Sequence, residues 1–283
     1  MCGITGWIDW ENRLDAPDKK ERLAKMVATL ANRGPDDSGV FVRPCVALGH
    51  RRLSVMDPAN GAQPMVRRRG EALFAITYNG EIYNAPELRA ELEAQGYRFE
   101  TNCDTEVVLA AYMAYGEACV EKFNGIFALG VWDEAKRRLF LARDRIGVKP
   151  LFYAERGREF LFGSEVKTLL ANPLVRPEID LEGFAEVLMI GPARTPGCGI
   201  FRGVKELKPG HALVCTEGGG AREYAYWQLE SLSLIHICYV LRPVKFQRIR
   251  RITGYLVGTV DRWNDAKRCE EADRVKHSCC GGT

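Results

Sequence analysis

An α+β fold is predicted by two observations: short strand-like runs recur from residue 4 to residue 215, bounded by Gly, Pro or Asn, while the helical periodicities are few and stand apart. A third is bulk: 283 residues at 46% apolar content supply a sizeable core, for one large domain or two small ones. The chain opens Met1-Cys2-Gly3-Ile4-Thr5-Gly6-Trp7-Ile8, where Ile4, Trp7 and Ile8 beside small Gly3 and Gly6 read as a buried strand. Leu23, Met26, Val27 and Leu30 then recur at helical spacing, and the turn-rich Arg33-Gly34-Pro35-Asp36-Asp37-Ser38-Gly39 ends that helix. Runs at 39–42, 46–50 and 53–56 suit an antiparallel meander. Another strand, 72–78, is predicted to end at Asn79-Gly80, a dipeptide that signals a tight turn.

Pro86 opens a helix to Gln95 that Gly96 closes. A second helix is expected from about 104 to 115, capped by Asp104 or Thr101, with Val107, Val108, Ala111 and Tyr112 on one face. Strands follow at 126–132, 138–142, 151–154 and 160–162, a helix begins at 164–167, and residues 180–190 and 211–215 add one helix and one strand. Gly218-Gly219-Gly220 reads as a hairpin tip, since no Lys-Ser or Lys-Thr follows to make a phosphate loop.

Charge is unevenly spread. The net +3 arises because residues 231–283 hold 10 Lys and Arg against 5 Asp and Glu, whereas residues 1–230 hold 30 against 32. The main domain therefore offers no basic surface for nucleic acid. Asp9, Glu11 and Arg13 interrupt the opening too early for a signal peptide, and no run of about 18 apolar residues suggests a membrane span, so the cytoplasm is the expected compartment. The ten cysteines show no paired spacing and are expected as free thiols, Cys45, Cys103, Cys119 and Cys215 in the core or loops.

Cys2 is the chemically distinctive residue. If Met1 is removed, its sulfur and a free α-amine share one residue. An amine with an ordinary pKa of about 7.7–8.0 can take the thiol proton directly or through a water. A Met-Cys start taken alone is uninformative, because such a motif needs structural context.

Four stretches supply that context: Arg33-Gly34-Pro35-Asp36, His50-Arg51-Arg52-Leu53-Ser54, Tyr78-Asn79-Gly80-Glu81-Ile82-Tyr83-Asn84, and Arg143-Asp144-Arg145-Ile146-Gly147-Val148-Lys149-Pro150-Leu151-Phe152-Tyr153. In order and spacing they resemble the glutaminase domain of glutamine-dependent asparagine synthetase, an N-terminal-nucleophile (Ntn) hydrolase of the class II glutamine amidotransferase type. The resemblance runs from Met1 to about Glu230 and takes in Gly61-Ala62-Gln63-Pro64 and Ser164-Glu165-Val166-Lys167. It implies a four-layer αββα sandwich, two antiparallel sheets between helices. It also implies hydrolysis of glutamine to glutamate and ammonia through a γ-glutamyl thioester on Cys2.

The same resemblance assigns residues. Asn79 supplies a side-chain N–H and Gly80 a backbone N–H to the oxyanion, Arg52 takes the glutamine α-carboxylate and Asp104 its α-ammonium. Leu53, Ser54, Val55, Met56 and Glu81 line the glutamine pocket. Taken alone, Asn79-Gly80 is a hairpin turn, Arg52 a solvated charge beside Arg51, and Asp104 a helix cap. His50 invites a Cys-His pair, yet the family chemistry uses the terminal amine, which leaves His50 structural. The glutaminase domain needs no cofactor; ATP and Mg belong to the synthetase domain that follows it in the family, and a homodimer is compatible with an intact protein. Glutaminase domains of other class II amidotransferases, making aminosugar phosphate or phosphoribosylamine, are the alternative enzymes. A silent binding module is the alternative if Met1 is retained.

After Tyr226-Trp227-Gln228-Leu229 the family pattern stops, and no Ser-Gly-Gly-x-Asp-Ser pyrophosphate loop follows. The run Leu232-Ser233-Leu234-Ile235-His236-Ile237 resembles a translated transposon end from sequencing-library adapters. On that reading residues 1–230 are the glutaminase domain, and residues 231–283 are a read-through artefact in place of the synthetase domain. Cys238, Cys269, Cys279, Cys280, His236 and His277 do not make a zinc site, because adjacent cysteines are poor ligand geometry and no Cys-x-x-Cys occurs.

Overall fold

The computed structural model describes residues 1–54, 57–191 and 193–229; the expectations for Val55, Met56 and the tail at 231–283 lie outside them. In chain order the elements are β1 (Gly3–Asp9), α1 (Pro17–Ala28), β2 (Asp37–Val42), β3 (Val46–Arg52), β4 (Met65–Arg69), β5 (Ala72–Ile82), α2 (Ala85–Ala94) and α3 (Asp104–Tyr115). After a 3₁₀ turn come α4 (Cys119–Lys122), β6 (Gly125–Asp133), β7 (Arg138–Arg143), β8 (Phe152–Arg156), β9 (Glu159–Gly163), α5 (Val166–Leu170), α6 (Leu181–Met189), β10 (Val204–Glu206), β11 (His211–Thr216) and β12 (Gly220–Ala225). Two six-stranded antiparallel sheets result, ordered β10-β8-β9-β1-β3-β2 and β12-β11-β7-β6-β5-β4. Met1–Leu229 form one unit.

Three apolar layers show how these elements stack. Trp7, Leu23, Met26, Ala47 and Leu169 pack α1 and α5 on the outer face of the first sheet. Ile4, Ile8, Val46, Leu48, Ala75, Ala128, Trp132 and Phe162 fill the space between the sheets. Ile76, Tyr78, Leu88, Val108, Tyr112 and Phe127 pack α2 and α3 on the outer face of the second. The order is helix, sheet, sheet, helix: the expected αββα sandwich. Each fully buried large side chain contributes about 1.5–3 kcal/mol. Gly130 of the second sheet carries no Cβ where one would lie 2.7 Å from the Phe162 ring of the first, and Gly6, paired with Phe162 in the same sheet, leaves that ring room, since a Cβ there would lie 2.1 Å from it.

Side-chain alternation then decides what faces the inter-sheet layer. Ile4 and Ile8 of β1 do, and the same parity turns Cys2 inward. Val46 and Leu48 put His50 and Arg52 on that face, and Ala75 puts Thr77 and Asn79 there. The layer is apolar along most of its length and polar at one end.

Three local expectations are corrected. No turn forms at Asn79-Gly80: β5 runs on to Ile82, with Asn79 opposite Ala128 and Gly80 opposite Phe127. Nine paired residues of β6 hold the strand, which outweighs local turn propensity. Leu53 and Ser54 are not in a strand. Their N–H groups go instead to Cys2 Sγ at 3.4 Å and to the Asp36 carboxylate at 2.7 Å. Neither Asp104 nor Thr101 caps α3. The cap is Cys103, without a side-chain bond, while Thr101 donates its N–H and hydroxyl to Glu106. Strands β4, β10 and β12 were not expected. The thiols Cys45, Cys103, Cys119 and Cys215 are free and buried.

His50 is wholly buried between the sheets. The Thr77 hydroxyl is committed to the Gly49 carbonyl at 3.1 Å, so His50 Nδ1 carries the proton and donates to Thr77 Oγ1 at 3.2 Å. Burial, with the Arg52 charge nearby, pushes its pKa down to about 3. Between that value and the ordinary 6.5 the unfolded chain binds a proton that the folded chain refuses. This contribution to stability is therefore complete above the ordinary value and is lost as pH falls through the window, by up to about 1.4 kcal/mol per pH unit. Denaturant unfolding of the parent and His50→Gln at several pH values should show a flatter acid slope in the variant. Equal slopes remove His50 from the acid sensitivity.

Candidate active site

The polar end of the inter-sheet layer opens into a cavity walled by Cys2, Arg52, Leu53, Asn79, Gly80, Glu81 and Asp104, with Gln63, Tyr78, Cys103, Thr105, Met1 and Lys149 completing it. Cys2 is held from both sides. Its Sγ receives the Leu53 N–H at 3.4 Å and faces the Leu53 carbonyl at 3.6 Å. Its carbonyl accepts from Arg33 Nε at 3.0 Å, and Arg33 Nη1 is anchored on Glu165 at 3.1 Å. Ile4 is tied to Ser164 by its N–H to Oγ and its carbonyl to the Ser164 N–H. The start of β1 is thus fixed by residues from two distant loops.

The second wall is the outer edge of β5. Strand β4 accompanies β5 only as far as the Met65–Ile76 pair, so beyond Ile76 that edge has no neighbouring strand among the described residues. Phe127, opposite Gly80, donates its N–H to the Asp144 carboxylate at 3.3 Å and accepts the Asp144 N–H at 2.8 Å. Both its main-chain groups therefore point away from β5. In an antiparallel pair the partner at such a position also points outward, so the Gly80 N–H is directed to the free edge and into the cavity. Its neighbours on that edge are occupied. Tyr78 N–H goes to Gln63 Oε1 at 2.7 Å and Ile82 N–H to Asp104 Oδ2 at 3.1 Å. Glycine is required at 80, because a Cβ would lie 2.4 Å from the Ile126 carbonyl. Beside it Asn79 is 2% exposed, and its Nδ2 has no hydrogen-bond partner among the described residues. A buried donor left unpaired is costly unless something it was shaped for arrives. Both residues line the cavity that also holds the Cys2 thiol.

Asp104, Arg52, Glu81 and Lys149 are the charged residues on the walls. Asp104 is 6% exposed and also accepts from the Tyr78 hydroxyl at 2.8 Å. Burial raises its pKa, while the bonds from Tyr78 and Ile82 oppose the rise. Arg52 is equally buried, not a solvated surface charge, and its guanidinium donates to the carbonyls of Pro58 and Asp57 at 2.9 and 2.8 Å. Gly61 leaves room for it, since a Cβ would lie 2.3 Å from Arg52 Nη2. Leu53 and Glu81 line the cavity, but Ser54 does not. Sequence reasoning gave no role to Arg33, Gln63, Tyr78, Thr105, Asp144 or Lys149. The available signal was their place inside the quoted stretches or next to Asp104. Among the described residues no group of His, Cys, Asp or Glu could hold a metal ion, and no helix is long and apolar enough to cross a membrane.

A cysteine leading the central strand of a sandwich of two antiparallel sheets, in one cavity with a buried side-chain amide that has no partner among the described residues, marks this cavity as the candidate active site. Glutamine phosphoribosylpyrophosphate amidotransferase from Bacillus subtilis has the same fold: TM-score 0.58 at 19% identity, covering 81% of this chain and 50% of that one. The chain belongs to the glutamine amidotransferase domain family, whose profile matches residues 1–227. It is 48% identical over 231 residues to asparagine synthetase [glutamine-hydrolyzing] 3 of B. subtilis, covering 82% of this chain and 37% of that protein. It is 36% identical over 230 residues to asparagine synthetase [glutamine-hydrolyzing] 1 of the same organism, covering 81% of this chain and 35% of the relative. The chain thus spans about a third of the length of these curated relatives.

Gly80→Ala should force β5 from β6 and cost about 1–3 kcal/mol, as overpacking against backbone does. Thermal unfolding checks this; an unchanged midpoint means the strands separate without strain.

Proposed function

We propose that this domain hydrolyses glutamine to glutamate and ammonia, with Cys2 as nucleophile. The observation that supports the reading is that one cavity is lined by Cys2, by Asn79 with its unpartnered Nδ2, and by Gly80, whose N–H the strand register turns outward. With Met1 removed, the Cys2 α-amine takes the thiol proton and the sulfur attacks the glutamine Cδ. Asn79 and Gly80 receive the oxyanion, the proton passes to the departing nitrogen, and ammonia leaves a γ-glutamyl thioester. Water then cleaves the thioester to glutamate and restores the thiol. Asp104 accepts the α-ammonium, which favours the charged carboxylate that burial alone disfavours. Arg52 offers its charge to the α-carboxylate, and Leu53 and Glu81 flank the chain.

The relatives named asparagine synthetase [glutamine-hydrolyzing] support asparagine formation as the fate of the ammonia. ATP and Mg would serve that synthetase step, not hydrolysis, and a cytoplasmic site fits an amino-acid-making enzyme. Met1 bears on the silent-module reading: while it is retained the Cys2 nitrogen is a peptide amide and cannot act as a base, and the Met1 side chain stays in the cavity with its sulfur accepting from Lys149 Nζ at 3.2 Å.

Cys2→Ala should reduce glutamate release to background, and Asn79→Ala should lower kcat by about 10²–10³. Intact-mass measurement of the N-terminus accompanies the assay. Parent-like rates in Cys2→Ala, or activity with Met1 in place, would sink the mechanism. Asp104→Ala and Arg52→Ala should raise KM more than they lower kcat, because the charges they hold do not change during acyl transfer. An unchanged KM in both removes them from the glutamine site.

A further inference from the structure

We infer that Gln63 is a positioning residue: its carboxamide sets the spacing between the two cavity-facing donors at Asn79-Gly80 and the Asp104 carboxylate, and thereby makes the site selective for a substrate bearing both a side-chain amide and an α-ammonium. The inference rests on the glutaminase reading above. The register of β4 and β5 pairs Met65 with Ile76, and its continuation would set residue 63 opposite Tyr78. At that position a side chain replaces the ladder: Gln63 Oε1 accepts the Tyr78 N–H at 2.7 Å. Because the oxygen must face that donor, Nε2 points the other way, to Thr105 Oγ1 in the first turn of α3 at 3.3 Å. Gln63 is 9% exposed, and its main chain is wedged against β2, where a Cβ on Gly39 would lie 2.1 Å from the Gln63 carbonyl oxygen. The residue is anchored on the first sheet, the second sheet and α3 at once.

Its bonds close a circuit. Gln63 joins the Tyr78 main chain to Thr105, and the next residue back, Asp104, takes the Tyr78 hydroxyl at 2.8 Å and the Ile82 N–H at 3.1 Å. Asn79, Gly80 and Glu81 lie between the two strand attachments. Strand and helix therefore cannot slide past one another without breaking a buried bond. The distance from the oxyanion donors to the ammonium acceptor is the distance the circuit holds, and it must match the length of the bound amino acid.

The test compares the full chain with Gln63→Met, which fills the same space without either bond, and with Thr105→Val, which leaves the Tyr78 N–H paired and releases only the helix. Substrates are L-glutamine and glutaramate, the same amide lacking the α-amine. The expected result is a fall in the glutamine-to-glutaramate ratio of kcat/KM, about tenfold for Gln63→Met and severalfold for Thr105→Val, with glutamine KM accounting for most of it. Amide hydrogen exchange at Tyr78 and Ile82 should speed up in both folded variants. A folded Thr105→Val with the parent's ratio, or exchange as slow as the parent's in both variants, overturns the inference. A parent that hydrolyses neither amide refutes the glutaminase reading instead, and the exchange rates still decide whether Gln63 locks strand to helix.

Discussion

The constraint on which the site depends is an unfinished sheet edge. Beyond Ile76 strand β5 has no outer neighbour among the described residues, yet Tyr78 and Ile82 on that edge are buried, where main-chain donors cannot be left to water. Two of the three inward N–H groups are taken by side chains, from Gln63 and Asp104, and the third, on Gly80, is presented to the cavity. A complete ladder would have used up all three. Shortening β4 converts a structural edge into a place where an oxyanion can be met by a donor that needs no reorganisation.

The opposite wall follows a similar logic with other means. Cys2 lies just before β1, between β9 and β3 in the middle of the first sheet, so the strands on either side locate it. Arg33, Glu165 and Ser164 then fix the end itself through its carbonyl and the groups of Ile4. A nucleophile at a chain terminus would otherwise fray. Placing it on a central strand and clamping it from loops supplies the rigidity that a catalytic geometry requires. Residues of both sheets share one cavity, and where Gly130 meets Phe162 the sheets pack with no room for a Cβ.

Much of this was legible in the residues. The apolar run of Ile4, Trp7 and Ile8, the periodicity around Leu23, and the short runs from 126 to 162 sufficed for antiparallel sheets with separate helices, since a short apolar run bounded by turn residues reads as a strand buried on both faces, as β1 is. Cys2, Asn79, Gly80, Arg52, Leu53, Glu81 and Asp104, named from motifs, do gather around one cavity, whereas Ser54 stands aside with its N–H on Asp36. Local signals misled where long-range pairing was stronger. Asn79-Gly80 is among the best turn dipeptides, yet β6 holds it extended. Asp104 is a good cap residue, but its carboxylate is drawn to Tyr78 and Ile82 instead.

The sequence by itself determined the fold class, because burial periodicity is written along the chain, and the resemblance of its motifs named the residues proposed for the site. Only the tertiary structure decided which groups remain available for chemistry. That Gly80 presents its N–H to the cavity follows from Asp144 claiming Phe127. That Asn79 has an unpaired amide, and that Gln63 spans strand and helix, likewise depends on partners tens of residues away. A donor is free or spent according to what packs against it, and no local reading of spacing contains that information.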